Sequence, residues 1–430
     1  MRFSLGVNYW PRAGAAAMWR RFDAGEVRED FARIAGLGLD TVRFFVRWDD
    51  FQPHADRVES DMLARLETVV ALAGEAGLKT VPTLFCGHLS GVNRLPAWAL
   101  DRKTPRGRYR TFSGERESPF GAGDIYTGRL LEAQLVFARA VGERLRAHPA
   151  VAAWDIGHRF SDVRQPARGK VATGGHGAES AADPVVAEWS RRLAAALGET
   201  PPVTAGTSAA DLLEDRDLRL APLCAPFGFA SMQGSSVFSP FARGRLDPEA
   251  VPFLAMVAAA FAFKPVLVTG FGNPTCPPDK FSAFEHFAPP GRPPELVIAP
   301  DDSVFATYPC LSEDENAAYC TNVLERLHAD GRLGAYWWGW SDAPDALRDE
   351  PPFDQAPHEL ARGIVRADGS EKPVAAALAA FARQAREVVP AHDMPMISST
   401  FYYRTLPTSA TTLYEAFLGF VAERRAAARI

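Results

Sequence analysis

Strand-like and helix-like segments alternate eight times along this chain of 430 residues. Each strand-like segment is a short apolar run or an apolar/polar alternation, and apolar residues at helical spacing follow it. Eight such units predict an α/β fold, a (β/α)8 TIM barrel, since parallel strands need crossover connections. A doubly wound sheet is the alternative, but no glycine-rich phosphate loop follows the first strand. The predicted strands are Phe3–Tyr9, Thr41–Arg47, Lys79–Phe85, Val151–Ile156, Pro202–Gly206, Gly228–Met232, Lys264–Thr269 and Leu333–Trp338.

The predicted barrel has long βα loops and a C-terminal helical extension. The two longest irregular stretches, Gly87–Ile125 and Phe271–Leu311, follow the third and seventh strands, and the 34 prolines and 34 glycines of the chain agree with such loops. In this fold, the βα loops build the active-site face. We expect residues 1–390 to form one barrel and residues 391–430 to pack on its outside, with a helix around Ser409–Ala426.

Composition excludes several classes of function. The 47 Lys and Arg against 52 Asp and Glu leave no basic excess for nucleic-acid binding. The longest apolar run, Phe253–Phe263, is shorter than the roughly twenty residues that cross a bilayer. The five cysteines have no CxxC spacing, which argues against a zinc ribbon and a disulfide framework. With no signal peptide before the first strand, we expect a cytoplasmic protein with no cofactor, metal, membrane or nucleic-acid partner.

Five local motifs occur in an informative order. They are Gly38–Arg43 with Trp48 and Gln52-Pro53 after it, Gly87-His88, Trp154–Gly157, Lys264–Thr269, and Gly334–Trp338. Together they resemble the cellulase- and mannanase-type barrels of glycoside hydrolase family 5 and its clan A relatives, over residues 1 to about 385. The resemblance implies a retaining β-glycosidase barrel in which Arg43 is the active-site arginine, His88 contacts substrate and Trp338 is a sugar platform.

The catalytic pair of that family is replaced in this sequence. Retaining glycosidases need two carboxyl groups about 5–5.5 Å apart, one a proton donor and the other an ionised nucleophile. The resemblance implies an Asn-Glu after the fourth strand, where this chain has His158 and Arg159. It implies the nucleophile at the end of the seventh strand, where this chain has Gly270. After the sixth strand, the resemblance implies a His and a Tyr, and the matching stretch of this chain offers Gln233 and Ser235.

Other residues could in principle replace the pair. Arginine cannot give up its proton at physiological pH, so the spare carboxylates are Asp155, Asp162, Asp342 and Glu285. We interpret Asp155 as a buried hydrogen-bond acceptor and Asp342 as a solvated loop residue, and Glu285 lies in a loop that could swing in.

The sequence offers candidates for two further kinds of site, a thiol nucleophile and a metal site. Cys86 and His158 could form a nucleophile–base pair, with a buried thiol and a hydrogen-bonded imidazole as the alternative. His88 and His158 have no third ligand to join them in binding a metal.

Charge at the predicted mouth suggests the type of ligand. Arg159 with Arg43 and Arg47, joined by His158 where it is protonated, would make the mouth basic, which suits a phosphorylated sugar, a uronic acid or another carboxylate. The alternative is that Arg159 pairs with Asp155 or Asp162 and fills space.

Tryptophans provide a softer indication of sugar binding, because sugars stack on aromatic rings. We expect Trp10, Trp48, Trp98 and Trp338 on the mouth side, and Trp154 and Trp337 in the core.

The leading hypothesis is a glycoside hydrolase-like barrel that binds a carbohydrate or a sugar-derived anion without hydrolysing it, a pseudoenzyme. The first alternative is a repurposed or still active hydrolase, lyase or transferase that uses substitute residues at the mouth. The second is a structural partner subunit of an active homologue. The residues expected to contact the ligand are Arg43, His88, His158, Arg159, Gln233 and Trp338.

Overall fold

The structure, a computed structural model, describes residues 1–166, 183–198, 200–275, 296–298, 304–306, 311–392, 394 and 396–427. Its centre is a closed barrel of eight parallel strands in sequential order, with the last strand paired to the first, so the predicted TIM barrel is confirmed. The barrel strands are β1 (Ser4–Asn8), β2 (Thr41–Arg47), β3 (Lys79–Cys86), β4 (Trp154–His158), β5 (Val203–Ser208), β6 (Ala230–Gln233), β7 (Val266–Phe271) and β8 (Gly334–Trp337).

Helices surround the barrel, and several begin at side-chain caps. The Asp23 carboxylate accepts the backbone N–H groups of Gly25 and Glu26 at the start of the helix Ala24–Gly36, and Ser312 with Glu315 forms a capping box on the helix Glu313–Ala329. The α-helices are α1 (Ala24–Gly36), α2 (Trp48–Phe51), α3 (Ser60–Glu75), α4 (Gly128–Leu145), α5 (Phe160–Val163), α6 (Asp183–Leu197), α7 (Ala209–Leu213), α8 (Leu220–Cys224), α9 (Ala250–Ala262), α10 (Glu313–Ala329), α11 (Pro373–Ala382), α12 (Ser399–Arg404) and α13 (Thr408–Ala427).

Alternation along β2 separates the core from the barrel interior. Val42, Phe44 and Val46 are buried in the large apolar core that includes the surrounding helices. The intervening Arg43 and Phe45 point into the barrel, because successive side chains of a strand face opposite ways. The strand therefore delivers a charged and an aromatic side chain to the inside of the mouth.

The stretch after β3, predicted as irregular, contains several short strands. They escaped prediction because they are short and partly charged, as in the run Leu100–Pro105, and show no clear apolar alternation. The strands are His88–Leu89, Val92–Arg94, Leu100–Pro105, Arg110–Ser113, Arg116–Ser118 and Phe120–Ala122. In the stretch predicted to be a loop after β7, the described residues include a two-stranded ladder of Leu296–Ile298 with Val304–Ala306.

The C-terminal helices α12 and α13 pack on α9. Tyr402 contacts Phe261 and Tyr414 contacts Phe253, with ring centroids 5.1 and 5.0 Å apart. Apolar side chains of both helices belong to the same buried cluster as the barrel core. Among the described residues, no helix combines the length and the apolar character that crossing a bilayer requires.

Candidate functional site

Arg43 lies at the centre of a buried polar cluster in the barrel mouth. Its Nε and Nη2 donate to Oδ2 of Asp155 at 3.1 and 2.7 Å, and its Nη1 donates to Oδ1 of Asn8 at 2.9 Å. The Asn8 amide in turn donates to the Thr269 carbonyl oxygen on β7 at 2.9 Å. Burial raises the pKa of Asp155 although Arg43 opposes the shift. Asp155 is thus the buried acceptor that the sequence predicted.

His158 is held between aromatic rings. It stacks on Trp338 at 5.3 Å and meets the edge of Phe45 at 4.8 Å between ring centroids. Its Nδ1 is 3.4 Å from Arg43 Nη2. A guanidinium only donates, so Nδ1 accepts and the proton of the neutral ring is on Nε2. Burial and the charge of Arg43 lower the pKa of His158 well below its usual value, so His158 adds no positive charge.

His88 is also buried and neutral. Its Nδ1 is 2.7 Å from Oδ1 of Asn93, whose amide nitrogen donates to the Asp162 carbonyl oxygen at 3.1 Å. This orientation makes Nδ1 the donor and leaves Nε2 buried without a hydrogen-bond partner. Burial lowers the pKa of His88 to about 4, and the Tyr109 ring packs against it in an edge-to-face arrangement, with ring centroids 4.5 Å apart.

Arg159, at the position that the resemblance gives to the acid/base, forms an ion pair. Its backbone is left-handed, with φ 48°, and its Nε donates to Oδ2 of Asp162 at 2.6 Å. Nη1 of Arg216 donates to the other oxygen of Asp162 at 2.5 Å. Burial opposes the shift, but Arg159 and Arg216 hold the pKa of Asp162 well below its usual range. The pairing alternative for Arg159, with Asp162 as partner, is therefore observed.

Gly270, at the position that the resemblance gives to the nucleophile, lies against two side chains. A Cβ built on it would be 3.1 Å from Cε3 of Trp338 and 3.2 Å from Cβ of Gln233. Both distances are tighter than ordinary van der Waals contact. The Oε1 atom of Gln233 is buried and has no hydrogen-bond partner. The space in which a side chain at 270 would begin is thus occupied.

The expectation of a basic mouth is wrong. Arg43 pairs with Asp155, and Arg159 with Asp162. Arg47 lies 2.7 Å from Asp49 and also pairs with Asp50, at 3.3 Å. Carboxylates on β4, α2 and α5 pair with the three arginines.

The other candidate carboxylates are either paired in the structure or lie outside the described residues. Asp342, which was expected in solvent, is buried. Lys372 Nζ donates to its Oδ1 at 2.7 Å, and the Gly363 N–H donates to the same oxygen. Glu285 lies outside the described residues.

Cys86 has the properties of a structural thiol. Its Sγ lies 3.4 Å from the His88 carbonyl oxygen, and burial raises its pKa to about 12. A thiolate is required for nucleophilic attack, so the Cys86–His158 pair has no activated nucleophile. In the described part of the chain, no group of three or more His, Cys, Asp or Glu side chains could hold a metal ion.

Of the four tryptophans expected on the mouth side, the structure places two at a pocket there. Trp10 and Trp338 are partly exposed and line a pocket at the mouth. Trp48 is buried, donates to Oε1 of Gln52 and packs against Trp98. As expected, Trp154 and Trp337 are core residues.

Several residues of the site were missed from sequence. Asn8 could have been predicted from the sequence, since it is a polar residue at the end of an apolar strand. Tyr109, Arg216 and Glu359 could not, because they lie in loops far along the chain from the groups that they contact.

Comparison with solved structures identifies the architecture. The exo-β-1,4-mannosidase Op5Man5 from Opitutaceae bacterium strain TAV5 superposes with a TM-score of 0.65 and 22% identity, over 90% of this chain and 60% of its own. A single-residue variant of GH5_18 from Streptomyces cattleya, in a complex with Manβ1-4GlcNAc, superposes with a TM-score of 0.71 and 20% identity, over 98% of this chain and 92% of its own. The chain has the fold of the GH5 glycoside hydrolases.

More distant barrels match as well, and sequence comparisons give no match. The β-galactosidase of the psychrophilic Marinomonas ef1 superposes with a TM-score of 0.57 and 14% identity, over 89% of this chain and 59% of its own. No protein-family model matches the sequence, and neither does a curated protein.

Proposed function

We propose that this chain is a carbohydrate-binding barrel that does not hydrolyse glycosides. The observation that carries the proposal is the glycine at position 270, where Trp338 and Gln233 lie within 3.2 Å of the place that a Cβ would take, so the nucleophile position has no side chain and little space for one. Arg159, engaged by Asp162, supports it at the acid/base position. An arginine cannot protonate a leaving group, and its charge opposes an oxocarbenium-like transition state.

Retained groups support sugar binding. Trp338 is partly exposed at the end of β8, and aromatic rings are suited to stacking on sugars. Two structures with this fold were solved with Manβ1-4GlcNAc, and one with GlcNAc. We therefore propose a neutral mannose- or N-acetylglucosamine-type sugar as ligand. A sugar anion is less well supported because Arg43, Arg47 and Arg159 are each paired.

Titration calorimetry with Manβ1-4GlcNAc, mannose and GlcNAc tests the binding. We expect saturable binding of at least one of these sugars, and at least a tenfold weaker affinity for Trp338→Ala. Phe401→Ala is the matched control, since Phe401 is an exposed aromatic on α12. No binding by the intact protein would contradict the proposal.

Product analysis tests the absence of hydrolysis. Incubation with Manβ1-4GlcNAc and with an aryl β-mannoside should release no mannose above the rate in buffer. Sustained release that is abolished by a substitution in the mouth would show an active enzyme and would overturn the non-hydrolytic part.

A further inference from the structure

A pocket at the mouth lies between the segments that follow β1 and β8, and neither Arg159 nor Gly270 lines it. Trp10 comes from the first segment and Trp338 from the second. Each ring is fixed by a stack, Trp10 on Phe45 at 4.7 Å and Trp338 on His158 at 5.3 Å. The pocket therefore has rigid aromatic walls. Its polar lining consists chiefly of Ser90, Asp342, Glu359 and Arg362.

Asp342 offers a free acceptor in this pocket. Its Oδ1 receives both of the hydrogen bonds that the described residues make to it, from the Gly363 N–H and Lys372 Nζ, each at 2.7 Å. The side chain is only 9% exposed. Burial raises the pKa of Asp342, so the carboxyl benefits from a further donor at Oδ2. A hydroxyl group supplies such a donor.

Glu359 is a second acceptor, held in place by three neighbours. Its Oε1 lies 2.9 Å from Arg362 Nε and 3.3 Å from His358 Nε2, and the Ser90 hydroxyl donates to Oε2 at 3.0 Å. Each oxygen can accept more than one hydrogen bond. The carboxylate is therefore preoriented and retains lone pairs for a ligand.

Charge and size restrict the ligand. Lys372 balances Asp342 and Arg362 balances Glu359, so the lining has no net positive charge for an anion. The cavity volume is about 40 Å³, which holds about three waters. That volume suits the hydroxyl-bearing edge of one sugar ring, with the ring itself against the tryptophans.

We propose that this pocket binds the hydroxyl edge of a neutral sugar, with Asp342 and Glu359 as acceptors and Trp10 and Trp338 as its apolar walls. The inference rests on the proposed carbohydrate-binding function and places the ligand away from the ends of β4 and β7. Hydroxyl groups of the sugar replace the waters that fit in the cavity. Uronic acids and sugar phosphates are disfavoured, since their charge would meet two carboxylates.

Calorimetry on the full chain tests this placement. The tightest binder among Manβ1-4GlcNAc, mannose and GlcNAc is titrated into wild type, Glu359→Gln and Trp10→Leu, with glucuronic acid as anionic probe. We expect at least a tenfold loss of affinity in both variants and no measurable binding of glucuronic acid. Glu67→Gln, which removes a surface carboxylate paired with Arg144, is the matched control and should change affinity less than twofold.

Two further measurements keep the outcome decisive. If Glu359→Gln strongly lowers the midpoint of thermal unfolding, the affinity of Trp10→Leu alone tests the placement of the sugar. The tryptophan fluorescence of wild type should also change when sugar is added. Affinity lost in Gln233→Ala but retained in Glu359→Gln and Trp10→Leu would place the sugar beside β7. That result overturns this inference and leaves the proposed function intact. Absence of sugar binding by wild type overturns both.

Discussion

At the residue scale, Gly270 lacks the carboxylate of a nucleophile, and neighbouring side chains also occupy the space that a side chain would need. Gly270→Glu should lower the free energy of unfolding by about 1–3 kcal/mol, because Trp338 and Gln233 lie 3.1 and 3.2 Å from the new Cβ. It should not restore hydrolysis, even combined with Arg159→Glu. Urea unfolding and mannose release measure the two effects.

The control for this substitution uses an unhindered glycine. Gly36 is exposed at the end of α1, and nothing lies within 4 Å of a Cβ built there. Gly36→Ala should leave stability unchanged or raise it slightly, whereas Gly270→Ala should lower it. Equal stability of Gly270→Glu and wild type would show that the space beside β7 is open.

Asp162 is the residue on which Arg159 and Arg216 depend. Asp162→Asn should cost about 3–5 kcal/mol, because it leaves two arginines without their buried partner. The pKa of Asp162 is lower in the folded state than in the unfolded state. Its stabilisation is therefore complete above the ordinary pKa of about 3.9 and is lost as the pH falls below that value.

Urea titrations at pH 7 and pH 3 test this prediction. The difference in unfolding free energy between wild type and Asp162→Asn should shrink at the lower pH. Glu67→Gln, which breaks an exposed pair with Arg144, should cost less than about 1 kcal/mol at pH 7. A cost for Asp162→Asn as small as this control would contradict the role of the ion pair.

At the scale of elements, the ends of β3 and β4 bring two neutral histidines into the mouth. Burial lowers the pKa of His88 to about 4, so the unfolded chain binds a proton below about pH 6.5 that the folded chain does not. Stability is therefore intact above pH 6.5 and falls between pH 6.5 and 4, by roughly 3 kcal/mol for His88. Urea unfolding of wild type and His88→Gln at pH 7 and pH 4.5 measures it.

The size of the stability loss on acidification distinguishes the buried His88 from an exposed histidine. In His88→Gln the loss of stability on acidification should be smaller than in wild type, and the buried His158 and His358, whose pKa values burial also lowers, account for a remaining loss. Replacement of the exposed His54 by Gln should leave the loss unchanged. A pH dependence identical in His88→Gln and wild type would mean that His88 is already protonated or solvated in the fold.

The elements also show how far sequence reasoning reached. The barrel strands were predictable because buried parallel strands are apolar and regularly spaced, and Asp155 was predictable because it lies within a buried strand. Asp342 was not, since its partner Lys372 lies 30 residues away and only the fold joins them. The same holds for Arg216, which lies 54 residues from Asp162.

At the scale of the whole molecule, the C-terminal segment and the barrel share one core. Tyr402, Tyr414 and Phe417 are buried on α9, and the Tyr403 hydroxyl donates to the Asp211 carbonyl oxygen at 2.9 Å. Loss of one buried aromatic side chain costs about 3–5 kcal/mol, which approaches the whole stability of an ordinary domain. The division at residue 390 should therefore not separate two independently stable parts.

A chain truncated after Pro390 tests that expectation. We expect it to be insoluble, or to unfold at a clearly lower urea concentration than the full chain, because its α9 surface would be exposed to water. The full chain should unfold in one transition by circular dichroism and by tryptophan fluorescence. Phe401→Ala is the control, since Phe401 is 57% exposed on the same segment, and it should leave the midpoint nearly unchanged. A soluble truncated chain with the midpoint of the full chain would show that the barrel is complete without α12 and α13.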